Sequence, residues 1–145
     1  MITNPTEPYF KDGIWGHDGG QWRRLNMLWG YYGAYAERAQ NTSLPAGSSS
    51  INMTLVSSGY VRVVDNIAFQ CISATITAAY LQATIGGTTI VLDVQPAPTS
   101  GIWYILHPHI TLAAGDRIFL AVTGATLNDD ATIDACGYQM RVNQG

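Results

Sequence analysis

His107-Pro108-His109 comes closest in this sequence to a metal half-site. In an extended segment both rings would point to one side, and neutral imidazole is a good zinc ligand. No third ligand follows at a regular spacing, so Asp93 or Asp116 would have to arrive through the fold. The pair is read as belonging to a loop or interface, and no metal is assigned. Asp129, Asp130 and Asp134 offer oxygens to calcium, but their spacing lacks the central glycine and terminal glutamate of an EF-hand loop. They are read as an acidic surface loop. No serine stands in a G-x-S-x-G context. Cys71 and Cys136 have no cationic sequence neighbours to activate a thiol; they could pair if facing strands bring them together, and the blander reading is two buried free thiols. The two glutamates, Glu7 and Glu37, both precede the β-rich region, so no carboxylate pair can be nominated for glycoside hydrolysis. Without a phosphate-cradling glycine loop before a helix, the expectation is a non-enzymatic protein with no catalytic residues and no cofactor.

The elements that carry these residues follow from composition and pattern. The chain has 145 residues, of which 47% are hydrophobic and only 12% charged, with a formal net charge of −3. That is enough apolar material for one buried core and too little charge for a disordered chain. No basic stripe is present to suggest nucleic acid, and no apolar run approaches the roughly 20 residues of a membrane helix. The N-terminus lacks the basic-then-apolar order of a secretory signal. A single lysine and two glutamates also argue against a helix-rich surface.

Composition shifts near residue 45, which divides the chain into an arm and linker (1–45) and a β-sandwich domain (46–145). Eight of the fifteen aromatics fall in the first 35 residues: Tyr9, Phe10, Trp15, Trp22, Trp29, Tyr31, Tyr32 and Tyr35. Six glycines share this stretch, a density that does not build a regular helix. The segment reads as an extended arm, with a short hairpin around Asp18-Gly19-Gly20 and one helical turn within 31–40. Residues 41–50 read as a polar linker.

From Ile51 onward the pattern is β. Strands are expected at 51–56, 60–64, 67–72, 73–85, 88–94, 102–106, 110–112, 117–123 and 131–142. A break is expected at Asp65-Asn66, a two-residue hairpin turn at Gly86-Gly87, a turn over 113–116 and a bulge at Gly137. Turn signals every 8–12 residues predict an all-β sandwich or barrel. A jelly-roll-like antiparallel arrangement of two four-stranded sheets is the first choice and an immunoglobulin-like sandwich the second. Eight large aromatics on a weakly structured arm cannot all stay in water. Either they cap a sheet edge of their own chain or they pack on another subunit, and Arg23 and Arg24 beside them suit an interface.

The segment from Asp12 to Arg24, DGIWGHDGGQWRR, followed by Leu28-Trp29-Gly30-Tyr31, resembles small virion proteins of tailed bacteriophages. Those pair a W-G-x-D-G-x-x-W-R-type stretch with a β-rich domain. Leu112-Ala-Ala-Gly-Asp-Arg117 resembles the L-x-x-G-D turn before a late jelly-roll strand. Within this group the chain is most similar to capsid decoration, or cementing, proteins of HK97-type heads. The resemblance implies a homotrimer on the capsid exterior, made in the bacterial host cytoplasm and bound to the major capsid protein. It also implies interface roles for arm residues Trp15, Asp18, Trp22, Arg23, Arg24, Trp29, Tyr31 and Tyr32. The rival readings are a receptor- or carbohydrate-binding module of a phage tail or fibre, with Trp103-Tyr104 beside His107 and His109 as platform, and a head–tail structural component.

Overall fold

The computed structural model describes two short strands, Trp15–Asp18 and Gln21–Arg24, and residues 32–142. The short strands, β1 (Trp15–Asp18) and β2 (Gln21–Arg24), form an antiparallel sheet of their own. This is the hairpin expected around Asp18. Its register sets Trp15 opposite Arg24 and His17 opposite Trp22.

The remaining strands are β3 (Tyr32–Leu44), β4 (Gly47–Asn52), β5 (Tyr60–Ile72), β6 (Ala78–Ile85), β7 (Thr88–Pro96), β8 (Trp103–Leu106), β9 (Ile110–Leu112), β10 (Arg117–Ala125) and β11 (Asp129–Arg141). They form two antiparallel sheets. One runs β4-β10-β6-β7; the other runs β3-β11-β5-β8, with β9 also paired to β5. Counting β8 and β9 as one interrupted strand, eight strands fall into the two sheets in jelly-roll order, successive strands changing sheet everywhere except at the β6–β7 hairpin. The all-β, jelly-roll-like expectation therefore holds.

Two local expectations are corrected. Residues 32–44 form one long strand, not a helical turn followed by a linker, and β4 occupies most of the expected linker beyond it. The sandwich thus takes in residues that precede position 45. Alanines and single charges give 32–40 a helical look. In place, Tyr35, Glu37 and Ala39 alternate with more exposed neighbours, as an edge strand requires.

Strand alternation builds the core. Ala79, Leu81 and Ala83 of β6 and Ile118, Leu120 and Val122 of β10 face inward from one sheet. Val64, Ile67, Phe69 and Cys71 of β5, with Ile133 of β11, meet them from the other. Burying each large aliphatic or aromatic side chain contributes about 1.5–3 kcal/mol.

The expected break at Asp65-Asn66 is instead a bulge inside a continuous β5. Cys136 pairs with Asn66 and Gly137 with Val64, so Asp65 is the extra residue. It lets Arg62 and Val64 face inward on one side of the bulge and Ile67 and Phe69 on the other. Gly137, expected at a bulge, lies opposite it. A Cβ there would stand 2.0 Å from the Val63 carbonyl oxygen, so only glycine fits. The Gly86-Gly87 turn has both φ angles positive (56° and 80°), as a type I′ hairpin needs.

Candidate functional site

Most of the chemistry-bearing residues named from the sequence fall among the described residues; Glu7 lies outside them. His107 and His109 do reach neighbouring positions, but their partners are not metal ligands in a set. His107 Nδ1 contacts Asn66 Oδ1, and His109 Nδ1 lies 2.7 Å from Asp65 Oδ1. Both brace the β5 bulge from outside. Among the described residues no group of three or more His, Cys, Asp or Glu side chains is placed to hold a metal.

The three aspartates diverge. Asp129 Oδ2 accepts bonds from Ser73 Oγ (2.5 Å), Thr126 N (2.7 Å), Thr126 Oγ1 (3.0 Å) and Thr75 Oγ1 (3.2 Å). The Ser73 bond, followed by the Thr126 amide, holds this carboxyl below the usual range. Asp129 thereby clamps two loops together. Asp134 instead forms a bidentate pair with Arg38 on the neighbouring strand, at 2.6 Å for both contacts. Asp130 accepts from Gln40.

Cys71 and Cys136 cannot pair, since they lie on opposite faces of the same sheet. Cys71 is fully buried, and burial first, then the charges of Asp129 and Asp130, pushes its thiol up to about 11. Cys136 is exposed, which corrects the expectation that both thiols are buried.

Trp103 and Tyr104 do not form a joint platform, because adjacent strand residues point to opposite faces. The Tyr104 ring stacks on Phe69 at 5.3 Å between centroids, and its hydroxyl accepts from the Thr99 amide at 2.9 Å. Trp103 faces outward opposite Gln70, 39% exposed, with the Arg38 guanidinium 5.8 Å from its ring centroid. Beside it Ile105 is 66% exposed. Together with Ala36, Ala68, Asn66 and Cys136, Ile105 lines an open groove of about 400 Å³ walled by the Arg38–Asp134 pair.

One cluster was not foreseen. Arg62 is only 6% exposed, its guanidinium 4.1 Å from the Tyr35 ring centroid. It donates to Thr54 O (3.0 Å) and to Gln139 Oε1 (3.2 and 3.3 Å). Glu37 accepts from Tyr35 Oη (2.7 Å), Thr54 N (2.8 Å) and Thr54 Oγ1 (2.9 Å). Burial works to raise the Glu37 pKa. The bonds from Tyr35 and Thr54 outweigh it and hold the group below its ordinary value. Burial, then the bond to Glu37, pushes the Tyr35 hydroxyl well above its ordinary value. Tyr35, counted among the arm aromatics from sequence, is thus part of the sandwich. Its partners stand 27 residues (Arg62) and 17 residues beyond Glu37 (Thr54) along the chain, and no local signal reveals such a cluster.

Of the arm positions, Trp15 and Asp18 stand in β1 and Trp22, Arg23 and Arg24 in β2. Tyr32 opens β3, its backbone opposite Met140. Trp29 and Tyr31 lie outside the described residues.

The strand order defines a jelly-roll-like antiparallel β-sandwich. No protein-family model matches the sequence, and no curated protein matches it. Among solved structures, the chain is similar to one in the structure of infectious bursal disease virus Gx strain, at 8% identity and a TM-score of 0.45. That match covers 78% of this chain and 33% of the other. It is also similar to a putative α-L-fucosidase from Bacteroides thetaiotaomicron, at 14% identity and a TM-score of 0.41, over 68% of this chain and 22% of the other. A third likeness is to a chain described as "CBM4 structure and function", at 17% identity and a TM-score of 0.30, over 76% and 94% of the two chains. The chain therefore spans a third or less of the first two. The fold assignment rests on the strand order and not on these likenesses.

Proposed function

We propose that this chain is a non-enzymatic structural protein of a tailed-bacteriophage particle. In this reading it sits on the capsid exterior as a trimer, contacts the major capsid protein and stabilises the shell through its N-terminal arm. The observation that carries the reading is that the segment resembling phage virion proteins forms a hairpin sheet separate from the sandwich. That sheet precedes an edge strand, β3, which begins at Tyr32. A weakly charged sandwich supports it, since few charges need desolvating when large surfaces are covered. Trp15, Asp18, Trp22, Arg23, Arg24, Trp29, Tyr31 and Tyr32 are the proposed clamp. Many copies held by such arms gain avidity from high effective concentration.

The test is removal of residues 1–30. This cut spares β3 whole, whereas a cut at 35 would take Tyr35 from the Arg62 cluster. The truncated protein should unfold as cooperatively as the full chain and no longer bind shells; undiminished shell binding refutes the clamp. Quantitative mass spectrometry of purified particles should find about as many copies as shell subunits.

Exposed Trp103, opposite Gln70 and beside Arg38, favours a second reading: a receptor- or carbohydrate-binding module of a tail or fibre. Glycan binding lost in Trp103→Ala, with a copy number far below that of the shell protein, would select it.

A further inference from the structure

The two sheets have four edges, and three carry features that discourage pairing with another chain. β3 has Glu37 and Arg38 in mid-strand. β4 is six residues long and mostly glycine and serine before Ile51. β8 and β9 have four and three residues, with Pro108 between them. Charge, shortness and proline are the usual protections of a free edge. β7 differs. Its protections lie in its second half: a bulge at Leu92, where the register passes from Val91–Gln82 to Asp93–Leu81, then Asp93 itself and Pro96. Its first half, Thr88-Thr89-Ile90-Val91, has no charge, proline or bulge, and all four residues are exposed.

The register fixes which backbone groups are free. The two-residue turn makes Ile85–Thr88 a hydrogen-bonded pair, and pairs then alternate along the ladder. Thr89 and Val91, opposite Thr84 and Gln82, fall in the other class. Their N–H and C=O groups point away from β6, where no described strand meets them. Ile90, opposite the buried Ala83, is on the core side of its sheet yet 39% exposed; Val91, on the other face, is 52% exposed. One added strand would cover apolar surface on both faces and satisfy these backbone groups.

We infer that the first half of β7 pairs antiparallel with β7 of a second copy about a two-fold axis. The segment is self-complementary. Centred on Ile90, the pairing sets Ile90 against Ile90 and Thr89 against Val91 on each side, all β-branched residues that suit cross-strand contact. It brings no like charges together, because Asp93 falls opposite Gly87 of the other copy. The contact goes beyond the proposed attachment to a shell and does not depend on it. If copies trimerise through another surface, the β7 pair would join one trimer to the next.

The experiment uses the purified full-length protein in sedimentation equilibrium. Thr89→Pro removes an outward N–H without touching a ladder bond to β6. Val91→Lys places a charge on each side of the pair. Either change should halve the mass, from dimer to monomer or from hexamer to trimer, while leaving thermal unfolding cooperative. Trp22→Ala should leave that mass unchanged. In the wild type, exchange of the Thr89 and Val91 amides should slow as protein concentration rises. Should Thr89→Pro fail to fold, Val91→Lys carries the test, since its side chain is already half in water. A wild-type mass that neither substitution lowers, or amide exchange independent of concentration, overturns the inference. Loss of shell binding in these variants without a change of mass would assign the edge to a different partner and equally overturn it.

Discussion

Replacing Asp116 with alanine should destabilise the sandwich far more than a surface substitution does. Asp116 is 6% exposed at the end of the Leu112–Asp116 turn. One carboxylate oxygen accepts the Gly86 N–H at 2.9 Å, tying in the β6–β7 hairpin, and the other accepts the Ala113 N–H at 2.9 Å, closing its own turn. The backbone of the same turn bonds Val56 twice: Val56 N to Asp116 O, and Gly115 N to Val56 O. Three loops therefore converge on this turn, two of them through the Asp116 carboxylate. Hydrogen bonds to a charged group contribute about 1.5–3 kcal/mol each, so losing two of them should make Asp116→Ala cost about 3–5 kcal/mol. With a urea m-value of about 2 kcal/mol/M, the midpoint should fall by roughly 1.5–2.5 M. Asp116→Asn keeps one acceptor and turns an NH2 toward the other amide, so it should lose at least half as much. Equilibrium unfolding followed by tryptophan fluorescence measures both. A loss below about 1 kcal/mol for the alanine variant would show that the turn holds without its carboxylate and refute the reasoning.

Three other outcomes follow from particular contacts. With Ellman's reagent, native protein should react quickly at one thiol, Cys136, and Cys71 should appear only on unfolding; two thiols should titrate in denaturant without reductant. Gly137→Ala should cost more than about 2 kcal/mol in thermal or urea unfolding, while Gly33→Ala, with nothing within 4 Å of its Cβ position, should stay within about 0.5 kcal/mol. Glu37, held below its ordinary 4.5, adds stability above that pH and loses it as pH falls through the folded value. Glu37→Gln should therefore be less stable than wild type at pH 7, by about 1 kcal/mol or less for so accessible a group. That difference should vanish as unfolding is repeated toward pH 3.

What was legible in the sequence is what local pattern determines. The 86–87 turn, the 113–116 turn and the presence of strands over β6 and β10 are each written in a few adjacent residues, and Gly137 marked the level of the bulge though not its strand, β5. β3 was not legible because an edge strand has one neighbour and carries weak alternation. Its inward Glu37 is bonded by Tyr35 and Thr54 and so masquerades as a surface residue. Gly47–Ser50 hid for the same reason, with Ile51 the one deeply buried side chain of β4. Asp65-Asn66 carried a true signal with two meanings, since turns and bulges favour the same residue types. The Arg62 cluster and the outward turn of Trp103 depend on which strands become neighbours, which only the assembled sheet order decides.

That order has a consequence for how the molecule is made. β11, the last of the described strands, lies between β3 and β5 and pairs along nearly its whole length with both. Until it emerges from the ribosome, β3 has no partner in its sheet and the inner face of β5 lacks Ile133 and Ala135. The sandwich therefore closes late and through contacts distant in sequence, a topology that folds slowly. Throughout that interval the aromatic arm, synthesised before the sandwich, is already outside the ribosome. A nascent chain stalled before residue 129 should be held by chaperones, and shortening β11 by a few residues should be far more damaging than losing the thirty residues at the other end.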